Sequence, residues 1–263
     1  MKTPETWWSA ALLATVSFTA FNACRTAREM AVPDPLEDLI AKNTLARGGA
    51  EAIESARTVA IRLRIVEPKF TVEGLYQASR DGRMRIEVFA DGKRVFSEGY
   101  DGRRGWQLVA GAEHATDSGA PGEAALRRGL ELPTNLRGLH EMRQRGHRVA
   151  LVSRELIGGV NFHVLELKLQ DGITPEGFTT FVYLNPVTYM IERQRDFRAL
   201  HPAVDPSQKW IEQRYDDFRK VNGRMVNFKS SQVDVQTGQI MQTTTILEVQ
   251  TNPPLTDRAF ARP

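Results

Sequence analysis

The chain has 263 residues, of which 41% are hydrophobic and 25% charged, and its formal net charge is +3. This length and apolar content suit one large domain, while the small, evenly spread charge argues against a nucleic-acid-binding protein. The only cysteine, Cys24, excludes an internal disulfide and a thiolate metal site, so the fold depends on its core alone.

The N-terminus carries a 15-residue apolar stretch, 7–21, shortly before Cys24. A short apolar run ending in small residues is typical of a secretory signal. A cysteine at its exit, in Phe21-Asn22-Ala23-Cys24, also resembles a bacterial lipoprotein signal, in which the thiol is lipidated and becomes the first residue. The alternatives are an ordinary export signal with an incidental cysteine, or a short anchor, although a spanning helix needs about 20 apolar residues.

We therefore predict a signal sequence over 1–23, a tether over 24–33 and one domain over 34–263. The tether leads into Asp34-Pro35-Leu36-Glu37, which has the cap, the proline and the glutamate of a helix start. Leu36, Leu39 and Ile40 form the apolar stripe of this helix, and Gly48-Gly49 ends it. A short helical turn over 50–56 follows.

The pattern then changes to the period of two that is typical of strands. Val59, Ile61, Leu63 and Ile65 alternate with Arg62 and Arg64. Further strands are predicted over 70–79, 84–90, 94–100 and 105–109. Asp-Gly pairs at 81–82, 91–92 and 101–102 supply the positive φ angles of tight hairpin turns, so this half is predicted to be an antiparallel meander.

A loop over 111–122 and a helical pair over 123–145 are predicted next. Pro133 divides the pair, because proline lacks a backbone donor and clashes with the preceding turn. Leucines lie on one face and arginines on the other, which favours helices packed on a sheet over helices lying on a membrane surface.

The second half returns to strands, which are predicted over 148–155, 161–170, 177–184, 189–196, 210–220, 226–235 and 239–249. Strands separated by turns, without alternating helices, argue against a parallel α/β fold. The sequence therefore predicts a mainly β, α+β fold, in which one long curved antiparallel sheet carries helices on its concave side.

No catalytic or metal-binding signature is found in the sequence. The histidines lack metal-ligand spacing, and we predict neither a metal nor a cofactor. Glu212, Asp216 and Asp217 form an acidic cluster that could support acid–base chemistry, but a solvated strand end explains them better. Aromatic residues on the strands are expected to be core, unless the curved sheet encloses a cavity for a hydrophobic ligand.

Several segments resemble the outer-membrane lipoprotein-sorting superfamily, which includes the periplasmic carrier LolA and its receptor LolB. They are Leu45-Ala46-Arg47-Gly48-Gly49-Ala50-Glu51, Tyr100-Asp101-Gly102-Arg103-Arg104-Gly105-Trp106, Tyr183-Leu184-Asn185-Pro186 and Tyr215-Asp216-Asp217-Phe218. The resemblance covers nearly the whole domain, but these motifs are turns and strand ends rather than catalytic residues.

The resemblance implies a half-open β-barrel, covered by the N-terminal helix and the mid-chain pair, that binds acyl chains or lipoproteins without catalysis. The expected cavity lining is Leu63, Ile65, Trp106, Leu108, Leu126, Leu130, Phe181, Tyr183 and Ile191. It also implies a carrier or receptor facing the periplasm. Lipidated Cys24 would attach it to the outer membrane, because Arg25 stands where Asp would signal inner-membrane retention. The alternative is a sensor or interaction module of the same fold that binds an envelope protein.

Overall fold

One antiparallel sheet of 13 strands forms the framework of the described residues, which in this computed structural model are 35–170, 177–202 and 205–263. The predicted signal sequence, the tether and Cys24 lie outside these residues. The strands are β1 (Thr58–Glu67), β2 (Phe70–Ser79), β3 (Arg83–Ala90), β4 (Lys93–Tyr100), β5 (Gly105–Val109), β6 (Thr116–Asp117), β7 (Arg148–Ile157), β8 (Val160–Lys168), β9 (Thr179–Leu184), β10 (Ile191–Arg198), β11 (Lys209–Val221), β12 (Arg224–Asp234) and β13 (Ile240–Thr251). The α-helices are α1 (Pro35–Ala46), α2 (Ala50–Glu54) and α3 (Gly119–Glu131), and single 3-10 turns span Leu139–Glu141 and Asp257–Ala259.

The strand order shows how the sheet is built from two meanders. It runs β6-β5-β4-β3-β2-β1-β13-β12-β11-β10-β9-β8-β7, and the antiparallel pair of β1 with β13 joins the two halves. The sheet ends at β6 on one side and at β7 on the other, so the barrel stays open. The predicted fold class, a curved antiparallel sheet with helices, is confirmed.

Two-residue turns set the register of the hairpins. Asp91 and Gly92 have φ angles of 48° and 73°, and Asn222 and Gly223 have φ angles of 47° and 82°. Positive φ at both central residues gives the turn twist that matches paired strands. The strands on either side are accordingly paired up to the last residue before each turn.

The helices cover one face of the sheet, which we call the inner face. On β1, Ile61 and Leu63 belong to the inner face, whereas Arg62 and Arg64 are exposed on the outer face. Two apolar clusters pack between the helices and this face. The cluster between α1 and the second half of the sheet contains Leu36, Leu39, Ile40, Leu165, Leu167, Val182, Leu184 and Ile191. The cluster between α3 and the first half of the sheet contains Val59, Ile61, Ala78, Met84, Leu126 and Leu130.

The predicted mid-chain helical pair is corrected to one helix. Helix α3 begins within the predicted loop, with Pro121 in its first turn, where its missing N–H costs nothing. The rest of the predicted pair, 132–145, contains only the 3-10 turn. The side chains of Arg47, Arg80 and Arg224 donate to backbone carbonyls within 134–137, and these bonds replace the bonds of a second helix.

Candidate functional site

A cavity of about 820 Å³ lies between α3 and the inner face of the sheet. Its helical side is built from Gly122, Ala125, Leu126 and Gly129, whose spacing of three and four places them on one helix face. Three of these four residues have little or no side chain. The cavity therefore exists partly because α3 does not fill the space in front of the sheet.

One wall of the cavity is apolar and comes from β1–β4 and β13. Its residues are Ile61, Leu63, Phe70, Tyr76, Met84, Phe96 and Ile246. Burial raises the pKa of Tyr76 to about 12, so this phenol is neutral and the wall carries no charge there. Such a surface favours hydrocarbon over water by about 25 cal/mol per Å².

The opposite wall is polar and comes from β10–β12. Its residues are Gln194, Asp196, Arg198, Gln213, Tyr215, Asn227 and Ser230. The Tyr215 hydroxyl donates to Gln194 Oε1 at 3.1 Å, and Gln194 Nε2 donates to Asp196 Oδ2 at 3.0 Å. Arg198 Nε donates to Asp196 Oδ1 at 2.7 Å. These side chains are held in place by one another, so the polar wall has a defined shape before a ligand arrives.

Charged groups lie on the remaining lining of the cavity. His201 Nε2 lies 2.8 Å from Glu67 Oε1, which links the segment after β10 to β1. Burial raises the pKa of Glu98, a β4 carboxyl that faces the cavity. Arg128 on α3 stacks on the ring of Phe178, 4.4 Å from its centroid. Burial and the nearby Arg198 lower the Arg128 pKa to about 10, so it stays charged at neutral pH.

Five of the nine predicted cavity residues lie on the inner face, in four different environments. Leu63 and Leu126 line the cavity, and Leu130 is buried beside Leu126 in the same cluster. Ile65 lies two residues beyond Leu63 on the same strand face but is not part of the lining. Ile191 is buried beneath α1 and borders a separate recess of about 50 Å³.

Four predicted residues belong to the outer face, which corrects their expected place in the cavity. They are Trp106, Leu108, Phe181 and Tyr183. Strand alternation is the reason, because their neighbours Gln107 on β5 and Thr180 and Val182 on β9 face inward. Trp106 is buried by the C-terminal segment, to which its Nε1 donates a hydrogen bond at the carbonyl of Phe260, 3.2 Å away.

Within the acidic cluster, Glu212 is engaged in ion pairs with three arginines. Glu212 is buried on the outer face and accepts hydrogen bonds of 2.6 Å from each of Arg193, Arg195 and Arg214. Burial alone would raise the pKa of Glu212, but these arginines outweigh it and lower the pKa. A carboxylate held ionised in this way is a poor proton donor at neutral pH.

Two kinds of feature are absent from the described residues. No group of three or more His, Cys, Asp or Glu side chains there is placed to hold a metal ion. None of the helices described combines the length and apolarity that crossing a bilayer requires.

Sequence reasoning missed two features of the cavity, the polar wall and Arg128. The arginines of α3 were assigned to a solvated helix face, but Arg128 lies at the edge of that face and borders the cavity. The one available signal was the small-residue spacing of Gly122, Ala125 and Gly129 beside it.

Solved structures resemble this chain in fold. A LolA superfamily protein from Nitrosomonas europaea is 13% identical, with a TM-score of 0.56 over 86% of this chain and 97% of that chain. A domain assigned to outer membrane lipoprotein sorting, from Vibrio parahaemolyticus, is 8% identical, with a TM-score of 0.53 over 85% and 94%. A DUF1329 family protein from Desulfovibrio piger is 10% identical, with a TM-score of 0.52 over 87% and 98%. No protein-family model and no curated protein sequence matches the chain. The resemblance to the lipoprotein-sorting superfamily is thus confirmed as a likeness of fold.

Proposed function

We propose that this protein binds the acyl chains of a lipid or lipoprotein in the cavity beneath α3, as a non-enzymatic carrier or receptor of the bacterial envelope. The observation that carries the proposal is a cavity of about 820 Å³ whose β1–β4 and β13 side is mainly apolar. Each methylene group moved from water to such a wall contributes about 0.8 kcal/mol. The likeness of fold to lipoprotein-sorting proteins supports the same function.

The envelope location is part of the proposal and depends on Cys24. Lipidation of this thiol would hold the domain at the outer membrane, facing the periplasm. Intact-mass measurement of protein purified from its native membranes tests this directly. We expect removal of 1–23 and an added acyl mass on Cys24, and an unmodified thiol on a mature protein would contradict the attachment.

Ligand binding is tested by native mass spectrometry and by a neutral dye that fluoresces in apolar surroundings. We expect lipid to co-purify with the protein, and the dye to bind once this lipid has been extracted. Leu63→Gln places an amide on the apolar wall and is expected to weaken dye binding. Val66→Gln is the matched control, because Val66 lies on the outer face of the same strand and is 43% exposed. Absence of both lipid and dye affinity in the wild type would contradict the proposed function.

Binding of an envelope protein is a second candidate function, favoured by aromatic residues on the outer face. Trp210 and Phe197 are 46% and 49% exposed, and their ring centroids lie 5.8 Å apart. Phe181 extends this row, 6.3 Å from Trp210. Exposed neighbouring aromatics are typical of interaction surfaces. Partner capture that survives delipidation and Leu63→Gln, but is lost in the double variant Phe197→Ser and Trp210→Ser, would favour this second function.

A further inference from the structure

We propose that the cavity selects amphiphiles with an anionic headgroup, a carboxylate or a phosphate, and that Arg128 recognises this group. The inference rests on the proposed function and adds the class of ligand to it. It follows from three observations: Arg128 has no carboxylate partner among the described residues, Asp196 is already bonded to other side chains, and the two walls of the cavity differ in polarity.

Arg128 is the cation of the cavity that lacks a carboxylate partner among the described residues. It borders the cavity, and its guanidinium lies over the ring of Phe178. A guanidinium stacked on a ring keeps its edge N–H groups free, and these donors match a carboxylate or phosphate in a bidentate arrangement. Within the described part of the chain, no hydrogen bond or ion pair occupies those donors. A charge that is partly buried in this way gains most from an anion brought by the ligand.

Asp196 is the carboxyl that raises the pKa of Arg128, and it is already engaged in hydrogen bonds of its own. It accepts a hydrogen bond from Arg198 Nε at 2.7 Å, from Gln194 Nε2 at 3.0 Å and from Thr180 Oγ1 at 3.3 Å. Arg198 neutralises its charge. Asp196 and Arg198 therefore act on the pKa of Arg128 in opposite directions, and within the described part of the chain no ion pair compensates the positive charge of Arg128.

The two walls indicate how such a ligand lies. The apolar wall is formed by β1–β4 and β13, and the polar wall by β10–β12, so the surface changes character across the width of the sheet. An acyl chain would lie against Ile61, Leu63 and the other apolar residues, with its headgroup between Arg128 and the amides of the polar wall. The two carboxyls on the other side, Glu67 and Glu98, belong to β1 and β4, so an anionic headgroup is disfavoured there.

The experiment compares three amphiphiles of equal chain length, dodecanoate, dodecyl phosphate and dodecanol, by displacement of a neutral fluorescent dye from the full-length protein. We expect both anions to bind at least tenfold more tightly than the alcohol. Arg128→Gln should abolish this preference while leaving the affinity for dodecanol within about twofold. Arg127→Gln is the matched control, because Arg127 precedes Arg128 on the same helix and is not part of the cavity lining.

Each outcome distinguishes the inference from the function on which it rests. Equal binding of acid and alcohol by the wild type would overturn the anionic selectivity but leave acyl binding intact. A preference that persists in Arg128→Gln, or that is lost equally in Arg127→Gln, would overturn the role of Arg128. Failure of all three amphiphiles to bind would overturn the proposed function itself. Arg128→Lys keeps the charge and should retain part of the preference, which separates recognition from a folding defect of the glutamine variant.

Discussion

Two substitutions of Gly129 are predicted to act differently: alanine should change stability, and phenylalanine should change ligand binding in the cavity. Gly129 lies inside α3 and borders the cavity, and a Cβ atom built there would meet no atom within 4 Å. Glycine in a helix costs roughly 0.5–1 kcal/mol relative to alanine. We therefore expect Gly129→Ala to raise the free energy of unfolding by up to about 1 kcal/mol, with little change in ligand affinity.

Gly129→Phe should instead remove part of the ligand's space. A phenylalanine ring covers about 150 Å² of apolar surface, which at about 25 cal/mol per Å² corresponds to at most about 4 kcal/mol of lost ligand burial. Since one methylene contributes about 0.8 kcal/mol, this loss equals about five methylenes. The preferred acyl chain should therefore be shorter by up to about five carbons.

The assay is dye displacement by a homologous series of alkyl amphiphiles, run in parallel on the wild type and both Gly129 variants. In the wild type, each added methylene should tighten binding about fourfold until the chain fills the cavity. If Gly129→Phe prefers the same chain length as Gly129→Ala, the predicted loss of ligand space is wrong. It is also refuted if the alanine variant loses affinity as strongly as the phenylalanine variant.

Three further predictions concern stability. Trp106→Ala leaves a cavity against the C-terminal segment and should lower the free energy of unfolding, measured by urea titration, by about 3–5 kcal/mol. The folded fraction should bind ligand with unchanged affinity. A reduced affinity would instead place Trp106 at the binding site. Burial raises the pKa of Glu98, so the stability that its neutral form contributes is fully present below the usual carboxyl pKa of about 4.3 and is lost as the pH rises through the raised value. Glu98→Gln should therefore be more stable than the wild type at neutral pH, but not at pH values below about 4. An equal stability difference at both pH values would contradict this. Arg80→Met removes the Arg80 donors from Glu141 and from the carbonyls of Ile53, Ala56 and Leu136, while the Gly138 N–H still donates to Glu141. This variant should lower the free energy of unfolding by about 3–5 kcal/mol. A loss below about 1 kcal/mol in the same titration would show that the segment after α3 does not depend on this arginine.

Local patterns predicted most of the secondary structure. Asp91-Gly92 encodes its own turn conformation, and the alternation of Ile61 and Leu63 with arginines identifies a half-buried strand without knowledge of its partners. The second mid-chain helix was predicted wrongly because its leucines keep helical spacing. Bonds from Arg47, Arg80 and Arg224, which are distant in sequence, stabilise turns there instead.

The site was predicted only in part. Leu63 and Leu126, which were expected to line a ligand cavity, each lie on the apolar side of their own element and border the observed cavity, while their contact with a ligand stays a prediction. Trp106 and Phe181 are equally apolar, yet both belong to the outer face, where Trp106 is covered by the C-terminal segment and Phe181 is half-buried beside Trp210. Hydrophobicity therefore indicates burial but does not reveal whether a residue borders a cavity or a packed core.

The sequence by itself determined the strands, the tight turns and the two-sided character of each element, because these depend on residues within a few positions of one another. Only the tertiary structure decided which side faces inward, since that choice depends on the pairing of β1 with β13 and on where α3 lies across the sheet. The same arrangement places Arg128 opposite a polar wall formed by strands about 65 to 100 residues further along the chain. Long-range pairing of this kind is not encoded in any short segment, so the chemical character of the cavity emerges only from the folded chain.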